Sequence, residues 1–199
     1  MNKGSLIILS GPSGAGKGTV LKQVMAQRND VFLSISATTR QPRPEDKEGV
    51  TYYFVTRPQF EEMIAQHQVL EYAEYCGNYY GTPLKAVQEK LEQGINVVLE
   101  IEVVGAAKVK KLMPESVLVF IAPPSMAVLE QRLRGRGTET DEVVRQRLEA
   151  ARTEILQAEG YDYIVINDTV ESAAQQLNAI IDSQSCRAER RFEMIKGEF

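Results

Sequence analysis

The chain has 199 residues, 43% of them hydrophobic and 25% charged, with a formal net charge of −4. That length can bury one core of ordinary domain size, the acidic balance argues against a general nucleic-acid binder, and no segment is long enough for a membrane span. Cys76 and Cys186 lie far apart and make no Cys-x-x-Cys pair, and Leu6–Leu9 is too short for a signal-peptide core, so a free-thiol cytoplasmic protein is expected.

The first predicted element is an apolar strand, Leu6-Ile7-Ile8-Leu9-Ser10, and it feeds Gly11-Pro12-Ser13-Gly14-Ala15-Gly16-Lys17-Gly18-Thr19. A helix is predicted next, over Thr19 to Gln27, with Val20, Leu21, Val24 and Met25 on one side. Strand, glycine-rich turn and helix together read as a phosphate-binding loop. Gly11, Gly14 and Gly16 let the backbone turn its N–H groups toward one point. The helix adds its positive end, and Lys17 supplies a full cation for the β- and γ-phosphates. A nucleoside triphosphate is therefore the expected ligand. Gly18 stands where a Ser or Thr usually ligates Mg²⁺, and Thr19 comes second. Which protein oxygen touches the metal stays open; Thr19 is one candidate.

Residues 34 to 82 are rich in Thr, Arg, Pro and Tyr, with turn signals at Gln41–Gly49 and Cys76–Asn78. Short strands of a less buried sheet are predicted at Tyr52–Val55 and Leu70–Tyr75, giving an inserted lobe. His67, the single histidine, is expected near the surface of a helical stretch with Met63 and Ile64. A helix follows over Pro83–Gln93, stopped by Gly94. Strands are predicted at Ile95–Ile101, Val117–Ile121 and Tyr163–Ile166, and helices at Thr140–Glu159 and Val170–Ser183. The near-continuous apolar strands predict burial on both faces of a parallel sheet. Glu100 and Glu102 lie two apart at a strand end, hence on one face, where a parallel sheet opens onto its ligand crevice.

Several blocks carry a sharper resemblance. They are Ser34-Ile35-Ser36-Ala37-Thr38-Thr39-Arg40-Gln41-Pro42-Arg43, Gly49 with Tyr52-Tyr53-Phe54, Glu71, Gly77-Asn78-Tyr79-Tyr80-Gly81-Thr82, Ile121-Ala122-Pro123-Pro124-Ser125, and Gly135-Arg136-Gly137-Thr138-Glu139-Thr140. In these the chain resembles guanylate kinase, and the match runs from residue 5 to about 168. The Gly16-Lys17-Gly18-Thr19 order is also similar to that of nucleoside monophosphate kinases such as adenylate kinase.

The resemblance implies phosphoryl transfer from ATP to GMP with Mg²⁺. It also implies an α/β fold of the P-loop NTPase type, with a parallel sheet flanked by helices, a small mixed α/β lobe for the monophosphate and a helical lid. On that reading 1–33, 84–125 and 159–199 form the core, 34–83 the GMP-binding lobe and 126–158 the lid.

The resemblance assigns Arg40, Arg43, Tyr52 and Tyr80 to the GMP phosphate, and Ser36, Glu71 and Thr82 to the guanine. The chemistry is apt: guanidinium forks suit phosphate. A carboxylate can accept from guanine N1–H and N2–H₂, but would meet a lone pair at adenine N1. Thr82 also precedes Pro83 and a helix, so a helix-cap role stands beside the base-reading one. Tyr79 is expected in the core. Glu102 is implied near the guanine amino group, and Glu100 near Mg²⁺ and the reacting phosphates; many family members carry Asp at both places and Gln where Val104 stands.

Gly11, Pro12, Ser13, Gly14, Ala15, Gly16, Lys17, Gly18 and Thr19 are implied at ATP, with Arg132 packed on adenine and Asn167 on the adenine side. Lys17, Arg136, Arg147 and Glu100 are the implied catalytic set, and Gly135 and Gly137 would give hinge freedom. Arg134, Arg145 and Arg152 are read instead as ion pairs on a solvated helix face.

Two other classes make different demands on the residues. A guanylate-kinase-like interaction module typically lacks a working phosphate loop, which is present here. A regulatory GTPase would need an Asn-Lys-x-Asp guanine reader after an apolar strand, which is absent. Small-molecule substrates ATP and GMP are the expected partners, with no nucleic acid or membrane. The tail from Ser183, with Arg187, Arg190, Arg191 and Lys196 among Phe192, Met194 and Ile195, suits a docked helix or a subunit contact, so a homo-oligomer stays open.

Overall fold

Strand β1 (Leu6–Ser10) is buried along its whole length, because it lies in the middle of a sheet with helices on both faces. A computed structural model describes residues 3–75, 77–135 and 140–197. The central sheet contains β1, β2 (Val31–Leu33), β7 (Asn96–Glu100), β8 (Val117–Ala122) and β9 (Tyr163–Ile166), in the order β2-β7-β1-β8-β9. All its pairings are parallel. Alternation along β1 divides the core. Ile7 and Leu9 face helices α1 (Lys17–Gln27) and α7 (Val170–Gln184). Leu6 and Ile8 face α3 (Leu84–Glu92) and α4 (Val103–Leu112).

A smaller sheet follows β2. It contains β3 (Ala37–Thr38), β4 (Tyr53–Phe54), β5 (Val69–Tyr75) and β6 (Asn78–Pro83), in the order β4-β3-β6-β5. Helix α2 (Arg57–Ala65) packs on it, and is opened by a capping box between Thr56 and Gln59. Phe60 is fully buried there, stacked on Tyr79 with ring centroids 5.1 Å apart. The Arg57 guanidinium also lies over the Tyr79 ring, 4.4 Å from its centroid. Helices α5 (Met126–Arg134) and α6 (Asp141–Leu156) share a cluster of their own around Leu129, Leu133, Val144 and Ala151.

Three expectations need correction. The run Tyr163–Ile166 is an edge strand, so Val165 alone is buried and Ile164 and Ile166 are each 53% exposed. Thr82 does not cap α3: the N-cap position is Pro83, with no side-chain bond. His67 is exposed, as expected of a surface residue, but it lies just past the end of α2 rather than within a helix, with φ 54°. The tail forms α8 (Ala188–Lys196), tied to the start of the chain by Arg190, which donates to the carbonyls of Lys3 (2.8 Å) and Gly4 (3.4 Å). Phe192 and Ile195 on it are exposed. No helix among the described residues is long and apolar enough to cross a membrane.

Removing the buried ring of Phe60 leaves a void that Tyr79 and Tyr72 cannot fill by simple collapse. Phe60→Ala is expected to lower the unfolding free energy by about 3–5 kcal/mol in urea titrations. A loss below about 1 kcal/mol would mean that the ring is not part of the packed core.

Candidate active site

The glycine loop leaves the C-terminal end of β1 and takes positive φ at Gly11 (145°), Gly14 (90°) and Gly16 (91°). A side chain at Gly11 would also meet the Ile121 carbonyl at 2.1 Å, and one at Gly16 the Asn167 amide at 2.3 Å. Only glycine fits these two positions. Thr56, Ser125, Thr140 and Thr169 cap α2, α5, α6 and α7 with their side chains, whereas α1 begins at Gly16 with no side-chain cap. The first-turn N–H groups of α1 therefore carry their partial positive charge without a side-chain acceptor. The Lys17 ammonium folds back over the loop, donating to the carbonyls of Gly11 (2.6 Å) and Pro12 (3.3 Å).

Neighbouring elements brace the loop. The Asn167 side-chain amide, buried after β9, donates to the Ala15 carbonyl at 2.7 Å. Arg132 of α5 donates to the carbonyls of Asn167 (2.9 Å) and Ala15 (3.4 Å). Arg147 of α6 donates to the Ser13 hydroxyl at 3.1 Å. Arg136 and Gly137, expected at the phosphates and as a hinge, lie outside the described residues, as does Cys76. Arg134 pairs with Glu130 and Asp141, Arg145 with Glu142 and Arg152 with Glu149, all on exposed helix surface.

A cleft of about 1050 Å³ runs from Lys17 and Glu100 to the smaller sheet, where Ser36, Tyr52, Glu71 and Tyr80 line it. Glu100 ends β7, level with Leu9 of β1, and its carboxylate lies beside Gly18. Burial pushes the Glu100 carboxyl above its usual range, and Lys17 opposes that. No group of three or more acidic, His or Cys side chains among the described residues is arranged to hold a metal. Thr19 is exposed at the start of α1.

At the other end, the β5–β6 register shifts between Val69 and Tyr72, so Leu70 and Glu71 together oppose Thr82. The bulge sends Leu70 into the core and leaves Glu71 at the cleft wall. The buried Thr82 hydroxyl donates to Glu71 Oε1 at 2.8 Å. Burial raises the Glu71 carboxyl pKa, the Thr82 bond and Lys108 lower it, and Glu102 raises it.

Arg40, Tyr52 and Tyr80 form one cluster. The Arg40 guanidinium is 5.4 Å from the Tyr52 ring centroid, and Tyr52 meets Tyr80 edge-on at 5.9 Å. Arg43 is exposed on the same loop.

Sequence reasoning missed three charged residues here. Asp46 accepts from the Arg40 guanidinium (2.9 Å) and the Arg43 main-chain N–H (2.7 Å), fixing the loop that carries both arginines. Glu154 of α6 lines the cleft two turns beyond Arg147; burial and Glu102 push its carboxyl up, and Lys17 draws it down. Lys108 of α4 lines it beside Glu71. Only the acidic residue six places after Arg40, in a proline-rich turn, left any signal in the sequence.

A parallel sheet with a glycine loop and lysine at its C-terminal edge, facing a second sheet across one cleft, defines a nucleotide-binding α/β protein of the phosphate-loop class. A family model described as guanylate kinase matches residues 3–184. The guanylate kinase of Desulfitobacterium hafniense (strain Y51) is 48% identical over 98% of this chain and 98% of its own length. That of Bacillus anthracis is 51% identical over 94% and 92%. A crystal structure of guanylate kinase from Anaplasma phagocytophilum matches with a TM-score of 0.76 at 32% identity, covering 95% of this chain and 90% of that one. The chain belongs to the guanylate kinase family.

An ionised carboxylate held where Glu71 stands costs folding energy. Its pKa is raised above the unfolded value of about 4.3, so wild-type stability falls as pH rises through the folded value. Glu71→Gln keeps an acceptor for Thr82 and removes the charge. The variant's Tm relative to wild type is expected to be higher near pH 8 than near pH 5. A flat difference would mean that folding does not move the Glu71 carboxyl, and a reversed one that the fold holds it below the unfolded value; either contradicts the expectation.

Proposed function

We propose that the chain transfers the γ-phosphoryl group of ATP to GMP, giving ADP and GDP. The observation that carries this reading is the single cleft with Lys17 and the glycine loop at one end and the Glu71–Thr82 pair beside Arg40, Tyr52 and Tyr80 at the other. One end suits a triphosphate, the other a purine monophosphate. A cytoplasmic setting goes with it, in keeping with the free, exposed thiol of Cys186.

Phosphoryl transfer asks for in-line positioning and charge neutralisation rather than covalent help. In this reading the amides of residues 11–19 cradle the ATP phosphates. Lys17 exchanges its bonds to the Gly11 and Pro12 carbonyls for phosphate oxygens. Arg147, already at Ser13, and Arg136 bring further positive charge from a lid made of α5 and α6. Arg132 offers its guanidinium to adenine while Asn167 secures the loop below. Mg²⁺, when bound, neutralises charge on the phosphates; Glu100 and the Thr19 hydroxyl are the protein oxygens that would hold it.

At the acceptor end Arg40, Arg43, Tyr52 and Tyr80 take the GMP phosphate, and Glu71 accepts from guanine N1–H and N2–H₂, with Glu102 nearby. Thr82 has one hydroxyl proton, which it donates in a hydrogen bond to Glu71. As guanine supplies its own donors to Glu71, that proton is released for guanine O6, joined by the Ser36 hydroxyl. Adenine offers no such exchange, so a buried carboxylate would face a lone pair.

ADP release from Mg-ATP in the presence of GMP tests the reading. Wild type is expected to turn over, and Lys17→Ala to lose about 10²–10³-fold in kcat with the fold intact, since a preorganised charge on the transferring group is lost. Near-normal turnover by the folded variant would remove the role assigned to the loop lysine.

A further inference from the structure

Lys108 stands one turn beyond Gly105 on the side of α4 that meets β5. The two residues touch consecutive parts of the same strand. A side chain at Gly105 would come within 3.1 Å of Glu71 Oε2, so the bare backbone there lies directly against the carboxylate. The Lys108 ammonium donates to the main-chain carbonyl of Tyr72 at 3.4 Å and lies 5.9 Å from the Tyr72 ring centroid. Both residues line the cleft. Among the described residues, the groups that act on Glu71 include the Thr82 hydroxyl from β6, Glu102 from the start of α4, and Lys108. Glu71, Glu102 and Lys108 all line this end of the cleft, where Glu74 of β5 is paired with Arg57.

We propose that Lys108 is a positioning residue for guanine specificity: it ties α4 to β5 at the Tyr72 carbonyl and supplies the cation that offsets Glu71 and Glu102 across the base pocket. The proposal rests on the reading of this pocket as the GMP site. Its chemistry follows from what guanine needs. Glu71 must present acceptors to two N–H donors, and a protonated carboxyl would set an O–H against guanine N1–H. Burial and Glu102 both favour the protonated form, and Lys108 opposes them. Without that cation, the balance at Glu71 shifts toward the protonated carboxyl, and the effect grows as pH falls. Lys108 itself touches neither the reacting phosphates nor the loop, so the transfer step does not depend on it.

The test is steady-state kinetics of wild type, Lys108→Met and Lys108→Arg from about pH 6 to pH 8.5. With Lys108→Met the KM for GMP is expected to rise about three- to tenfold at the acid end of that range, because the partly buried Glu71 carboxylate loses an offsetting cation. The rise should shrink toward pH 8.5, with kcat and the KM for ATP unchanged, and Lys108→Arg should restore the wild-type profile. A plain surface lysine would move none of these, so an unaltered KM for GMP at every pH overturns the proposal. So does a pH-independent rise that Lys108→Arg fails to correct. Wild type that turns over no GMP at all would instead remove the reading beneath it, and the wild-type assay alone separates the two failures.

Discussion

The hydrogen bond from the buried Asn167 amide to the Ala15 carbonyl fixes the loop on which the rest of the site is hung. It joins the end of β9 to the turn after β1, across β8, so three strand ends meet at one point. Gly16 has no room for a side chain because Asn167 occupies it, and Gly11 has none because of the Ile121 carbonyl. Arg132 adds a second tie to the same Ala15 carbonyl. A buried donor or acceptor stripped of its partner costs about 1–3 kcal/mol, which is enough to hold a strained loop in a single shape. The open N-terminal turn of α1 is the product of that shape.

The second constraint is electrostatic. Each end of the cleft holds a carboxylate pushed up by burial, Glu100 by the loop and Glu71 by the smaller sheet, and Glu154 adds a third from α6. Partly buried acids are poor choices for stability alone. Their partners make sense of them. Lys17 draws down Glu100 and Glu154, and Thr82 and Lys108 draw down Glu71. In the proposed reaction the substrates supply further partners for these acids: metal-borne charge at one end and guanine N–H donors at the other.

Much of this was legible from the residues. The apolar strands β1, β7 and β8 read directly because both their faces are buried, and Gly11, Gly14, Gly16 and Lys17 spell the loop between β1 and α1. β2 escaped because three residues, Val31–Leu33, are too few to show a period. α4 escaped although Val103, Ala106 and Val109 repeat at helical spacing, because it starts two residues after a strand and contains Gly105. β9 misled, since an edge strand of apolar residues has the same pattern as a central one. At the site, Thr82 carried two readings; the helix-cap one falls because the N-cap position of α3 is Pro83, and the hydroxyl bonds Glu71 across a bulge that linear spacing does not reveal. Asp46, Glu154 and Lys108 act through packing between distant segments, and an isolated charge in a polar stretch gives no sign of it.

The central claim is that one cleft joins a triphosphate to guanine and to no other base. Its most direct test is ADP release from Mg-ATP with GMP, AMP, CMP, UMP and dTMP compared as acceptors at one concentration. The account predicts turnover with GMP that exceeds every other acceptor by orders of magnitude. Comparable turnover with another monophosphate, or none with GMP from folded protein, would contradict it.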